Sequence, residues 1–134
     1  MKTVSNIILT AMIFFTAQLE ANPIFSGCDL LKANKTAYGK CLDQTIESLD
    51  RTLSTWIENQ TFKLEAIVHS TGRKTVLKLF KKSQVDFVAF RKNDCRWKYL
   101  FISPDKGAVS AYKTCYISLS QNRIDQLEAF NKTK

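Results

Sequence analysis

Four cysteines and one histidine are the residues of this chain best suited to chemistry, and their spacing decides which kind. Cys28, Cys41, Cys95 and Cys115 contain no Cys-x-x-Cys pair, and His69 is the only imidazole, so the ligand spacing of a structural zinc site is missing. An even number of cysteines in a small exported chain reads instead as two disulfides, which would leave no thiolate to act as a nucleophile. His69 cannot complete a serine or cysteine triad alone, and beside Ser70 it is expected at an exposed loop end. Asp43 and Glu47 stand at helical spacing beside lysines, the ordinary arrangement of a solvated helix face. There is no glycine-rich phosphate loop. The expectation is a protein with no catalytic residue, metal, cofactor or small-molecule substrate.

The N-terminal residues point to export. Lys2 supplies a positive start, Ile7 to Phe15 form a short apolar run, and Leu19-Glu20-Ala21 places a small residue before Asn22. Residues 1–21 are therefore predicted to be a cleaved signal peptide and residues 22–134 a single domain. Phe25-Ser26-Gly27 before Cys28 resembles a lipid-attachment site, but acylating Cys28 would strand an odd thiol. No run approaches the roughly twenty apolar residues of a membrane span. Loss of Lys2 and Glu20 leaves the net charge at +8. Such a field favours an anionic partner, such as a cell-envelope polymer or an acidic protein, and nucleic acid is not the expected one.

Three helices are needed to position these residues. Tyr38, Leu42, Ile46, Leu49, Leu53 and Trp56 with Ile57 recur at steps of three and four, with Thr36 as the expected N-cap. The stretch Thr61-Phe62-Lys63-Leu64-Glu65-Ala66 fits either a helix or a strand, and Ser70-Thr71-Gly72 ends it. A second helix is predicted from about Lys74 to Trp97. Its inward columns are Val76, Phe80, Ser83, Phe87 and Phe90 beside Leu77, Gln84, Val88, Arg91 and Cys95. Ser103 to Gly107 reads as a loop. A third helix is predicted from about Ala111 to Phe130, with Tyr112, Cys115, Leu119, Leu127 and Phe130 inward. Short connections make consecutive helices antiparallel, which brings all four cysteines to one pole of a small all-α, three-helix bundle. Four cysteines allow three pairings, and joining nearest partners gives Cys28–Cys41 and Cys95–Cys115. Each short loop closed in this way would add about 3 kcal/mol.

Gln84, Phe87, Arg91, Asp94 and Cys95 follow one another in a distinctive order. Downstream, Cys115 is followed by Leu119, Ser120, Arg123 and Leu127; upstream stand Cys28, Thr36, Cys41, Asp50 and Leu53. This combination resembles the LprI N-terminal-like domain family, small bacterial envelope domains often described as lysozyme inhibitors. Phe87 stands where tryptophan is usual, Ser54 where asparagine is usual and Ile57 where tyrosine is usual, and residues 60–73 have no clear counterpart. The resemblance implies a non-enzymatic protein of the bacterial periplasm or secreted medium, with lysozyme as a partner.

The matched polar residues Asp50, Gln84, Arg91 and Arg123 are expected to be structural. Gln84 and Arg91 share the inward column, and a buried arginine requires a carboxylate or several carbonyls to offset its desolvation. Asp50 is the expected partner, in one buried pair. Lys74, Lys78, Lys81, Lys82 and Lys92 share the outer face of the second helix and form a candidate anion-binding face. Charge also argues against direct inhibition: host-defence lysozymes are strongly basic, so steering would oppose the encounter unless a local acidic patch around Asp43, Glu47 and Asp50 assisted it.

Overall fold

The computed structural model describes residues 26–132; the predicted signal peptide, residues 1–21, and the predicted start of the domain at residue 22 lie outside them. Three long helices follow a short one: α1 (Ser26–Asp29), α2 (Lys35–Thr71), α3 (Lys74–Ile102) and α4 (Ala108–Lys132). The fold is all-α, with no strand among the described residues.

Local chemistry sets each boundary. The α2 N-cap is Asn34, not Thr36: its Oδ1 accepts from the backbone N–H of Ala37 at 3.0 Å, while Thr36 lies inside the first turn. The ambiguous residues 61–66 are helical, so α2 runs unbroken for 37 residues, about 55 Å. Leu64 packs inward there, and that burial outweighs the alternating pattern around it. Gly72 ends the helix with φ 70°, a left-handed conformation that costs a residue with a Cβ, and its N–H caps the carbonyl of Val68. His69 is exposed as expected, but in the last turn of α2 rather than in a loop. α3 continues five residues beyond Trp97, and α4 begins three residues before Ala111.

The two disulfides are Cys28–Cys41 and Cys95–Cys115, gathered at the pole where α2 and α4 begin and α3 ends. The apolar core lies mainly between α2 and α4: Leu42, Leu49 and Leu53 face Ile117, Ile124 and Leu127, with Cys28 at one end. α3 seals this layer with a narrower stripe. Its buried residues are Gln84, Arg91 and Cys95, while Phe80 and Phe87 are only partly covered. Two residues expected inward, Val88 and Phe90, are exposed. With Arg91 aimed at the groove between α2 and α4, Phe90 is turned about 100° away around the helix, and only one column can occupy the groove. Phe130, also expected inward, is half-exposed near the end of α4.

Candidate functional site

Arg91 is the polar centre of the bundle. Its Nη1 donates to Asp50 Oδ1 at 3.1 Å and to Ser120 Oγ at 2.7 Å, and its guanidinium lies 3.8 Å from the centroid of the Tyr116 ring. Ser120 in turn donates to the carbonyl of Tyr116, and the Tyr116 hydroxyl lies within 3.2 Å of each Asp50 oxygen. Three helices are thus tied together by one cation. The pair joins the expected partners but is asymmetric in burial: the arginine side chain is 8% exposed and the aspartate 43%, so only the cation is withdrawn from water. Arg91 Nε has no hydrogen-bond partner. Burial is the main cause pushing the Tyr116 hydroxyl above its ordinary pKa; Arg91 opposes the shift and Asp50 adds to it.

Two turns earlier on α3, Gln84 Oε1 accepts from Arg123 Nε and Ser83 Oγ from Arg123 Nη2, each at 3.2 Å, while Arg123 Nη1 reaches Gln126. Arg123 therefore meets only neutral acceptors, and burial holds its pKa below the ordinary arginine value. The four polar residues singled out in the sequence are brought to the face that α3 turns toward its neighbours. This arrangement links α2, α3 and α4, and His69 is remote from it in sequence and exposed.

Asp94, Cys95 and Cys115 converge closely enough to suggest metal ligation. Their donors are already engaged. The two sulfurs are bonded to each other, and Asp94 accepts from Lys98 Nζ at 2.6 Å and from Trp97 Nε1 at 3.0 Å. Lys98 first and Trp97 second hold the Asp94 carboxyl below its usual range.

Lys74, Lys78, Lys81, Lys82 and Lys92 on α3 are all exposed. Lys81 pairs with Glu65 and Lys82 with Asp86, while Lys74, Lys78 and Lys92 have no acidic partner among the described residues. The acidic patch is compensated: Asp43 pairs with Lys113, Glu47 approaches Arg51, and Asp50 holds Arg91. A different surface stands out on α3. Phe90, Trp97 and Phe101 stand at helical steps of seven and four on the side of α3 away from the core, and are 55%, 54% and 83% exposed. The rings of Trp97 and Phe101 meet edge to face at 6.4 Å. The spacing is present in the sequence, but Phe90 is expected in the inner stripe, Trp97 closes the expected helix and Phe101 falls beyond it.

A family model described as lysozyme inhibitor LprI matches residues 28–127. The match runs from the first cysteine to the last core leucine of α4 and takes in both disulfides, Asp50, Gln84, Arg91 and Arg123; the chain belongs to the lysozyme inhibitor LprI family. The searches of curated proteins and of solved structures found no match. No helix among the described residues is long and apolar enough to cross a membrane.

Proposed function

We propose that the protein is an exported, non-enzymatic lysozyme inhibitor, and that it meets the enzyme with the aromatic edge of α3 formed by Phe90, Trp97 and Phe101. The observation that carries the assignment to this edge is the exposure of three large aromatic residues on one rigid, disulfide-braced helix. Interface energy concentrates in such residues, and clustered exposed apolar surface is the usual mark of a docking face. Cleavage of residues 1–21 and oxidation of both cysteine pairs in an oxidising compartment fit this role. Apolar docking also accommodates the charge problem. The +8 protein and a basic enzyme repel at long range, but about 8 Å of screening at physiological ionic strength removes most of that repulsion.

The test is lysozyme hydrolysis of a soluble, uncharged oligosaccharide in the presence of the disulfide-bonded protein. Inhibition is expected to hold or strengthen from low to physiological salt. A second interpretation, a module that binds an anionic envelope polymer, is favoured by the exposed and acid-free Lys74, Lys78 and Lys92. That interpretation predicts protection of cell walls only, lost as salt rises and weakened when these three lysines become glutamine. Failure to inhibit on the soluble substrate would decide for it.

A further inference from the structure

The pole that carries the disulfides leaves apolar side chains in water beside cations that no acid compensates. Leu30, in the turn that follows α1, is 87% exposed, the highest value among the large hydrophobic side chains of the described residues. Leu31 and Val109 are exposed as well. The turn is held in place: the Cys28–Cys41 bond pins α1 to α2, the Leu31 N–H donates to the Cys28 carbonyl at 2.9 Å, and the Asn34 N–H donates to the Leu31 carbonyl at 2.9 Å. Apolar side chains held out in water side by side mark a surface made for contact. An open pocket of about 380 Å³ lies next to them between the starts of α2 and α4, lined by Lys32, Lys35, Tyr38, Lys106, Val109 and Ser110. Lys32 pairs with Asp29 at 3.0 Å, whereas Lys35 and Lys106 have no acidic partner among the described residues. Arg96 adds a fourth cation, in a smaller depression that it shares with Val109. Against these four, α1 and the α3–α4 loop supply two acids, Asp29 and Asp105. The Gly107 carbonyl accepts from the Ala111 N–H at 2.9 Å, so Gly107 is the N-cap of α4 and brings no side chain to the N–H groups of its first turn.

Ammonium groups, the hydroxyls of Tyr38 and Ser110 and main-chain N–H groups can all donate to one anion, and phosphate oxygens make strong acceptors for them. A phosphate with an apolar body attached answers the pocket and the leucines together. We propose that this pole docks on the surface of an anionic phospholipid bilayer, with a headgroup phosphate among Lys32, Lys35 and Lys106 and with Leu30, Leu31 and Val109 entering the acyl boundary. Such docking draws on buried apolar area and on attraction to anionic lipid at once, and it needs no membrane-crossing helix. A free phosphate, or a polymer that carries only charge, would leave the three apolar side chains in water. The surface shares no residue with the aromatic edge of Phe90, Trp97 and Phe101, so membrane docking and lysozyme inhibition stand or fall separately.

The experiment is co-sedimentation of the disulfide-bonded protein with vesicles of mixed phosphatidylglycerol and phosphatidylcholine, and with vesicles of phosphatidylcholine alone. Binding is expected to the first and not to the second. Leu30→Ser changes a side chain already in water, so the variant should fold, and it should weaken binding about 10-fold, the factor for one apolar side chain withdrawn from water. Lys35→Gln together with Lys106→Gln should weaken it about 30-fold, the loss of two cations at the membrane surface. Exchange of Lys74, Lys78 and Lys92 for glutamine should weaken it by less than that pair does. Loss of vesicle binding in Leu30→Ser with lysozyme inhibition at the parent value would separate the two surfaces, and failure of the parent to inhibit lysozyme would leave the vesicle result standing. The proposal is overturned if the parent does not sediment with the anionic vesicles, if Leu30→Ser binds them as the parent does, or if the exchange on α3 weakens binding as much as the Lys35 and Lys106 pair. It is overturned equally if glycerol phosphate binds as tightly as the vesicles, which would assign the pocket to the free phosphate.

Discussion

Arg91 and Asp50 form a pair whose two members are not equivalent. Removing the aspartate leaves a guanidinium that cannot lose its proton enclosed beside Ser120 and the Tyr116 and Phe87 rings, whereas removing the arginine leaves a carboxylate that water already reaches. Asp50→Ala should therefore cost about 3–5 kcal/mol, the loss seen when one partner of a buried pair is deleted. Arg91→Met, which keeps most of the volume, should cost only about 1–2 kcal/mol. Urea unfolding of the two variants checks the order, and equal losses would show the pair to be symmetric. Tyr116 adds a pH signature. Its folded pKa is raised, so above the ordinary tyrosine value of 10.0 the unfolded chain loses the proton first. Its contribution is complete below that pH and declines as pH rises toward the folded value. Tyr116→Phe should flatten this alkaline decline in a pH series of melting temperatures; an unchanged slope would rule Tyr116 out as its source.

At the scale of the helices, Gly72 carries the tightest backbone requirement. It holds φ 70° with no atom within 4 Å of where a Cβ would stand, so Gly72→Ala meets conformational strain and no clash. A loss of about 1–2 kcal/mol is expected from denaturant unfolding, and a neutral result would mean the turn relaxes into another conformation. The stop at Gly72 was legible because glycine after a periodic run is a local signal. The course of residues 61–66 was not, since Phe62, Leu64 and Ala66 alternate as in a strand and only the packing of Leu64 decides between the two. The inner face of α3 was legible at Gln84, Arg91 and Cys95. It was misassigned at Val88 and Phe90 because a period identifies a stripe, while its width depends on the groove the helix enters. Asp50 could be named as the partner of Arg91 from antiparallel register. Tyr116 and Ser120 could not be placed in the same cluster without the third helix in position.

Across the whole molecule, charge and shape pull the account in different directions. The net charge of +8 suggests a protein that seeks anions, but several lysines are engaged: Lys113 with Asp43, Lys98 with Asp94, Lys81 with Glu65 and Lys82 with Asp86. Surface pairs of this kind add little stability individually, so their chief effect is to reduce the local contrast of the field. The aromatic edge is concentrated on one face and held rigidly beside the Cys95–Cys115 bond. The family match supports lysozyme as the target, and family membership alone says nothing of which surface meets it.

The most direct test is the inhibition constant for a basic lysozyme acting on a soluble oligosaccharide at physiological salt, measured for the parent protein and for Trp97→Ala and Phe101→Ala. Both side chains are half-exposed or more, so both variants should fold, as circular dichroism would verify. Each should weaken inhibition about 30-fold, the loss of a roughly 2 kcal/mol interface anchor. Exchange of Lys74, Lys78 and Lys92 for glutamine should leave inhibition unchanged or improve it. Full inhibition by both aromatic variants, or its loss in the lysine variant, would contradict docking through this edge.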